Sequence, residues 1–288
     1  MPRIVIAGCG FVGLATARLF HSSGWDVLGL THSPENAAAM ASEKFPVVPC
    51  DISLPESVRA VAARFGGEPD AVIHCASSGR GAADAYRTVY FEGAVNLLDA
   101  LAPRRLIFTS STSVYAQTDG SVVTEDSAAE PPREAGHILR GTEAVVLARG
   151  GTVARLAGIY GPGRSVLLRK FFSGEAIIEG DGERIVNHAH RDDMASALHM
   201  LIEKSAAGIF NVSDDTPMPQ REIYAWLAQR FARPLPPSGP IDLNRKRGWT
   251  SKRVSNAKLR ALGWTPKFPS FFDAVEEQPE LVTLAREN

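Results

Sequence analysis

Short apolar runs alternate with longer amphipathic stretches through the first half of the chain. Arg3–Ala7 is the first run and ends at Gly8; Val12–Ser22 follows, with Leu14, Ala17, Arg18 and Phe20 at helical spacing. Asp26–Leu30 reads as a second strand, and Leu54–Phe65 as a helix with Ser53 and Pro55 near its start. Strands are expected again over Asp70–Cys75, Arg104–Ser110 and Thr152–Ala157, with helices over Ala82–Leu101 and Ile138–Arg149. Strands that are apolar almost throughout, each followed by a helix, imply a parallel sheet covered on both faces. Right-handed crossovers make the expected architecture a doubly wound α/β Rossmann fold.

The texture changes after Gly158. Tyr160–Arg164 and Glu179–Glu183 are rich in Gly, Asp and Pro. Arg191–Lys204 reads as a helix, and Gly208–Val212 as a strand able to rejoin the first sheet. Pro234–Pro240 holds four prolines in seven residues and should be an extended connector. The expected division is a large Rossmann domain from 1–157 plus 185–215. A smaller C-terminal α/β cap would come from 158–184 plus 216–288.

Composition narrows the class. With 288 residues, 44% hydrophobic and 22% charged, the chain is neither disordered nor a collagen-like repeat. The net charge of −1 argues against a general nucleic-acid binder. That balance hides Ile241–Arg260, which has seven basic residues against one acid, a local +6, so the other 268 residues sum to −7. Such a run reads either as a solvated face or as an anion-facing wall. Cys9, Cys50 and Cys75 suggest reduced thiols and a cytoplasmic location rather than a disulfide framework. Glycines break the apolar N-terminus, which reads as a folded strand and helix rather than a signal segment. No run reaches the ~18 apolar residues of a membrane span.

The chemistry begins at Gly8-Cys9-Gly10-Phe11-Val12-Gly13, which matches G-x-G-x-x-G between a strand and a helix. The first glycine permits the tight turn, the second lets backbone approach a pyrophosphate, and the third lets helix pack on strand. Phe11 and Val12 open a helix whose N-terminal N–H groups would face the phosphates. The second strand ends on Thr31-His32-Ser33, without the carboxylate that usually holds an NAD ribose. This favours NADP, with NAD as the alternative. Asp51 and Ile52, just past the third strand, would border the adenine; Asp51 also reads as a helix-capping residue.

These features resemble the extended short-chain dehydrogenases/reductases, the superfamily of NAD(P)-dependent epimerases and dehydratases. The likeness is carried by the glycine loop, Asp51-Ile52, Val72-Ile73-His74-Cys75-Ala76-Ser77 and Phe108-Thr109-Ser110-Ser111-Thr112-Ser113-Val114-Tyr115. It continues in Arg155–Arg164, His190-Arg191-Asp192-Asp193 and Phe210-Asn211-Val212-Ser213, in the family's order. The stretch from Lys252 to Trp264 is similar to atypical members. The resemblance implies that Cys75, Ala76 and Ser77 lie beside the cofactor ribose and pyrophosphate. It places Ser110 near the nicotinamide and Ser111 where the family carries its catalytic Ser or Thr.

One departure stands out. The family's proton donor is a Tyr followed four residues later by Lys, and none of Tyr86, Tyr90, Tyr115, Tyr160 or Tyr224 has that partner. The expected place reads Glu134-Ala135-Gly136-His137-Ile138-Leu139-Arg140, with His137 and Arg140 close to the two positions. Three readings stay open: His137 is the acid/base group, Tyr115 or Tyr160 reaches in from another loop, or cofactor binds without redox chemistry. His188, His190, Asp192 and Asp193 are read as structural rather than metal-binding, with Asp192 or Asp193 capping the following helix. Tyr160 and Arg164 are candidate substrate residues, Arg164 suiting a phosphate or carboxylate.

The sequence therefore points to an NADP-binding oxidoreductase or epimerase/dehydratase relative. Its small-molecule substrate would be a polar, anionic or sugar-like compound. The alternative is a non-catalytic NADP(H)-responsive regulator; another Rossmann dehydrogenase class is a third option, suggested by the spacing of the glycines. No nucleic-acid or membrane partner is expected, and a homodimer is compatible with the reading.

Overall fold

The computed structural model describes residues 1–79, 83–245 and 248–287. Seven strands form one sheet in the order Gly208–Val212, Thr152–Leu156, Leu106–Ser111, Ala71–His74, Arg3–Ala7, Asp26–Thr31, Val47–Pro49. Every pairing is parallel. The order runs outward in both directions from the neighbours Arg3–Ala7 and Ala71–His74, so the sheet is doubly wound. Ligands of such sheets bind where the direction switches, beyond the carboxyl ends of the strands.

The central strands are buried on both faces. Ile4 and Ile6 enter one core with Phe20, Leu198, Leu201 and Phe210. Val5 and Ala7 enter the other with Leu97, Phe108, Val146 and Val153. Neighbouring residues of a strand point to opposite faces, which explains why the run is apolar without alternation. Helices Phe11–Ser22 and Arg191–Glu203 cover the first face; Pro55–Phe65, Gly93–Leu101 and Glu134–Ala148 cover the second.

Two expected elements change shape. The helix expected over Ala82–Leu101 begins outside the described residues and then divides into Ala83–Tyr86, a π-helical turn Arg87–Glu92, and Gly93–Leu101. The wider turn brings the Val89 carbonyl 3.0 Å from His74 Nε2. The helix expected at Ile138 starts at Glu134 instead. At Arg191–Glu203 the cap is neither Asp192 nor Asp193. His190 Nδ1 accepts from the Asp192 N–H at 3.2 Å, while Asp193 accepts from the Lys267 and Phe268 N–H groups.

A third core lies on the other side of the cleft, built from Leu168, Phe171, Ile178, Ile223, Leu227, Phe268 and Phe271. Short strand pairs tie distant segments together. Gly158–Tyr160 lies parallel to His188–His190, and Val122–Val123 parallel to Arg253–Val254. The last pair matters for the site. It carries a C-terminal segment back onto the sheet domain, where Val254 joins the second core and Trp264 the first. Among the described residues no helix is long and apolar enough to cross a membrane. Cys9, Cys50 and Cys75 are free, and burial pushes all three thiols up, Cys9 to about 12.

Candidate functional site

The glycine loop is built by close approach. Gly8 has φ +99°, and a Cβ there would sit 2.3 Å from the Ala76 nitrogen. At Gly13 a Cβ would meet the Gly8 carbonyl at 2.0 Å. Gly10 differs: a Cβ would meet nothing within 4 Å. The Gly8 and Cys9 N–H groups both donate to the Leu30 carbonyl, fixing the turn against the second strand. The helix that follows has no side-chain cap at Gly10 and no acid in its first turn. Its N-terminal dipole is left for an anion.

This loop forms the floor of a cleft of about 860 Å³ at the strand ends. Gly8, Gly10, Phe11 and Val12 line the floor, with Thr31 and His32 on one side. Cys75, Ala76, Ser77, Ser110 and Ser111 line it further along. Four expected cofactor residues do not. Gly13 packs helix on strand, and Ile52 is buried against Gly93. The Ser33 hydroxyl caps the helix Pro34–Ala39 by accepting from Asn36 N–H. Asp51 accepts from the Ser53 N–H and hydroxyl and lies 3.8 Å from His32 Nδ1.

The two serines have different partners. Ser111 Oγ accepts from the Ser113 N–H at 3.2 Å. Ser110 Oγ donates to Glu143 Oε1 at 2.6 Å. Glu143 in turn receives Arg155 and Arg140.

The expected proton donors do not reach the cleft. Tyr115 is fully buried, donates its hydroxyl to Asn211 Oδ1 at 2.8 Å and lies under the Arg155 guanidinium. Burial raises its pKa. Tyr160 belongs to the third core between His188, His190 and Phe271, where burial raises its pKa as well. His137 is exposed on the helix Glu134–Ala148 and faces away. On that helix Leu139 lines the cleft, and Ala135 shares its face one turn earlier. The pair at the four-residue spacing is therefore Ala135 and Leu139, and neither carries a proton.

Cations line the cleft as well. Arg164, Arg184, Arg245 and Lys252 all line it. Arg164 and Arg191 both sit over the Phe11 ring, 5.3 and 5.2 Å from its centroid. Arg184 Nε donates to the Thr250 carbonyl and lies 3.9 Å from Glu179 Oε2, while Arg245 holds Glu179 Oε1. Burial, then the neighbouring Arg245 charge, lowers the Arg184 pKa. Of the basic run, Arg245 and Lys252 face the cleft, whereas Arg253, Lys258 and Arg260 bond to Gly120, Ile209 and Asp215 elsewhere. Lys246 and Arg247 lie outside the described residues. Sequence reasoning did not name Arg184, gave Leu139 no role within the segment Glu134–Arg140, and did not separate Lys252 from its solvated neighbours.

A doubly wound sheet with a G-x-G-x-x-G turn at its switch point defines the dinucleotide-binding Rossmann class. The family model for the NAD dependent epimerase/dehydratase family matches residues 4–213, and the chain belongs to that family. Protein YeeZ of Escherichia coli K12 is 29% identical over 286 residues, covering 93% of this chain and 97% of YeeZ. A structure from Methylobacillus flagellatus is 28% identical with a TM-score of 0.79, covering 99% of each chain. UDP-glucose 4-epimerase of Thermotoga maritima, solved with UDP-glucose, has a TM-score of 0.79 at 20% identity, covering 99% of this chain and 98% of that one. At that identity the likeness is one of fold.

Proposed function

We propose that the protein is an NADP-dependent oxidoreductase or epimerase/dehydratase acting on an anionic, sugar-like or carbonyl compound. One observation carries this reading: a single cleft joins the glycine loop, the two serines and the basic side chains Arg164, Arg184, Arg245 and Lys252. Bound there, the dinucleotide supplies a nicotinamide carbon that accepts or returns a hydride. The open space at Gly10 and the uncapped helix N-terminus fit its diphosphate. Thr31 and His32 border the adenine ribose; the second strand itself ends without a carboxylate, which favours a 2′-phosphate, while the nearest acid, Asp51, lies 3.8 Å from His32 Nδ1. Ser111 binds the substrate oxygen as charge develops on it. Arg164, Arg184 and Arg245 receive the substrate's anionic group, the guanidinium suiting phosphate or carboxylate. The UDP-glucose held by the Thermotoga maritima epimerase is consistent with a sugar nucleotide.

The test is the change in NADPH absorbance on a panel of sugar phosphates and aldehydes, together with product analysis by NMR on UDP-sugars, because an epimerase or dehydratase regenerates its dinucleotide and gives no net absorbance change. Ser111→Ala should lower kcat/KM about 10²–10³-fold with NADP affinity unchanged. Equal turnover by that variant removes the role of Ser111. A second reading, a regulator that binds NADP(H) without turnover, is favoured by Ala135 and Leu139. Tight binding with no turnover across the panel, together with a captured protein partner, selects it.

A further inference from the structure

Lys252 is 4% exposed yet lines the cleft. Its ammonium has three donors, and Nζ donates to Thr250 Oγ1 at 2.8 Å. Among the described residues no carboxylate lies within 4.0 Å of Nζ. The nearby acid, Glu179, is held by Arg245 and lies beside Arg184. The charge that acts on this buried amine is that of Arg184.

Its backbone is fixed. Asn187 Nδ2 donates to the Lys252 carbonyl at 2.9 Å, and Asn187 Oδ1 accepts from the Val254 N–H at 2.8 Å. The Asn187 carbonyl in turn accepts from the Gly158 N–H at 3.0 Å. Gly158 lies two residues beyond Leu156, the strand partner of Ser111. Lys252 is therefore built onto the same strand ends as Ser111. Among the described residues Tyr115 and Tyr160 are buried elsewhere, His137 faces away, and Ala135 and Leu139 are inert; Tyr90 also lines the cleft, but it belongs to the second core and its ring packs 5.0 Å from that of Tyr86.

Resting on the oxidoreductase reading above, we propose that Lys252 is the catalytic proton carrier of this cleft, exchanging a proton with the substrate oxygen that Ser111 binds. In the oxidative direction the substrate O–H bond breaks, its electron pair stays on oxygen, and an N–H bond forms on a neutral Nζ. An oxidised nicotinamide dinucleotide, when bound, would take the hydride of the same carbon, leaving a carbonyl. In reverse, the ammonium returns the proton. Burial, then the Arg184 charge, lowers this amine to about 7, so both forms are present at neutral pH. Among the described residues Arg184 is the charged group that acts on this amine, Thr250 accepts its hydrogen bond, and Asn187 is bonded to its carbonyl.

Two measurements test this. Pyridoxal 5′-phosphate, an aldehyde bearing a phosphate, is added to the full-length protein and trapped with borohydride. Peptide mapping should place the label on Lys252, with a rate that rises through pH 7. In turnover assays Lys252→Met and Lys252→Arg should both lose about 10²–10⁴-fold in kcat, keep NADP affinity within about twofold, and lose the pH limb near 7. The arginine variant keeps a cation that cannot release its proton. Rescue by Lys252→Arg overturns the proton role in favour of charge alone. Turnover within about threefold of wild type in Lys252→Met overturns the proposal outright. Labelling elsewhere with wild-type turnover intact removes Lys252 only. Labelling at Lys252 with no wild-type turnover on the panel removes the oxidoreductase reading, and the catalytic role with it.

Discussion

Arg155 and Glu143 form an ion pair under the sheet, Nη2 to Oε2 at 2.7 Å and Nε to Oε1 at 3.0 Å, with neither side chain more than 1% exposed. The same carboxylate accepts from Ser110, the neighbour of Ser111. Removing one partner strands the other charge away from water. Glu143→Ala should cost roughly 3–5 kcal/mol in urea unfolding, and replacing both residues by apolar ones of similar volume should recover much of it. A Glu143→Ala protein within about 0.5 kcal/mol of wild type would show that water reaches the Arg155 guanidinium.

Two loop glycines should fail differently. Gly10→Ala adds a methyl in open space, so the melting temperature should hold within about 2 °C while NADP affinity falls roughly 10–100-fold. Gly13→Ala drives a methyl into the Gly8 carbonyl and should cost roughly 1–3 kcal/mol or prevent folding. Calorimetry for stability and titration for affinity separate the two; a tight-binding Gly10→Ala protein contradicts the placement of the diphosphate.

Cofactor choice should turn on His32, whose side chain is 78% exposed beside Asp51. A carboxylate there repels a 2′-phosphate and can hold a free 2′-hydroxyl. His32→Asp should shift the ratio of NADP to NAD dissociation constants toward NAD by about tenfold or more. An unchanged ratio would place the 2′-position away from this residue.

Lys252 should also set a pH dependence of stability. Its amine titrates at 10.5 when exposed and at about 7 in the folded chain. Between these values the unfolded chain holds a proton that the folded chain does not, so folding is penalised increasingly as pH falls. Below about 7 the penalty is complete. Lys252→Met should therefore gain on the order of 2–4 kcal/mol at pH 6, and the gain should fade toward pH 10. Unfolding curves at the two pH values check this, and a gain that grows with pH has the wrong sign.

Tyr115 and His137 serve as contrasts. Tyr115→Phe loses the hydrogen bond to Asn211 and should cost about 1 kcal/mol without changing turnover by more than about threefold. His137→Ala should alter neither stability nor NADP affinity. A large loss of kcat in either variant would restore that residue to the reaction.

Much of the fold was written in near-continuous apolar strands, since only a sheet covered on both faces needs Val5 and Ile6 alike to be apolar. The glycine loop was legible because each glycine answers a steric demand. The catalytic end was not. A lysine within a basic run looks the same in sequence whether solvated, like Lys258, or buried against the cleft, like Lys252. The difference comes from Asn187, about 65 residues away, and from Arg184. Likewise Leu139 gains meaning only because the helix starts at Glu134 and turns that face inward. The π-turn has no periodicity signal of its own.

The pairing of Arg253–Val254 with Val122–Val123 has a consequence for synthesis. The glycine floor leaves the ribosome early, Arg164 and Arg184 midway, and Arg245 and Lys252 nearly last. A nascent chain can close its sheet once Val212 has emerged, before Arg245 and Lys252 exist. The lining of the cleft is thus completed only after the sheet beneath it. A product truncated after residue 213 would carry the whole family-matched span, with Arg164 and Arg184 but without Arg245 and Lys252.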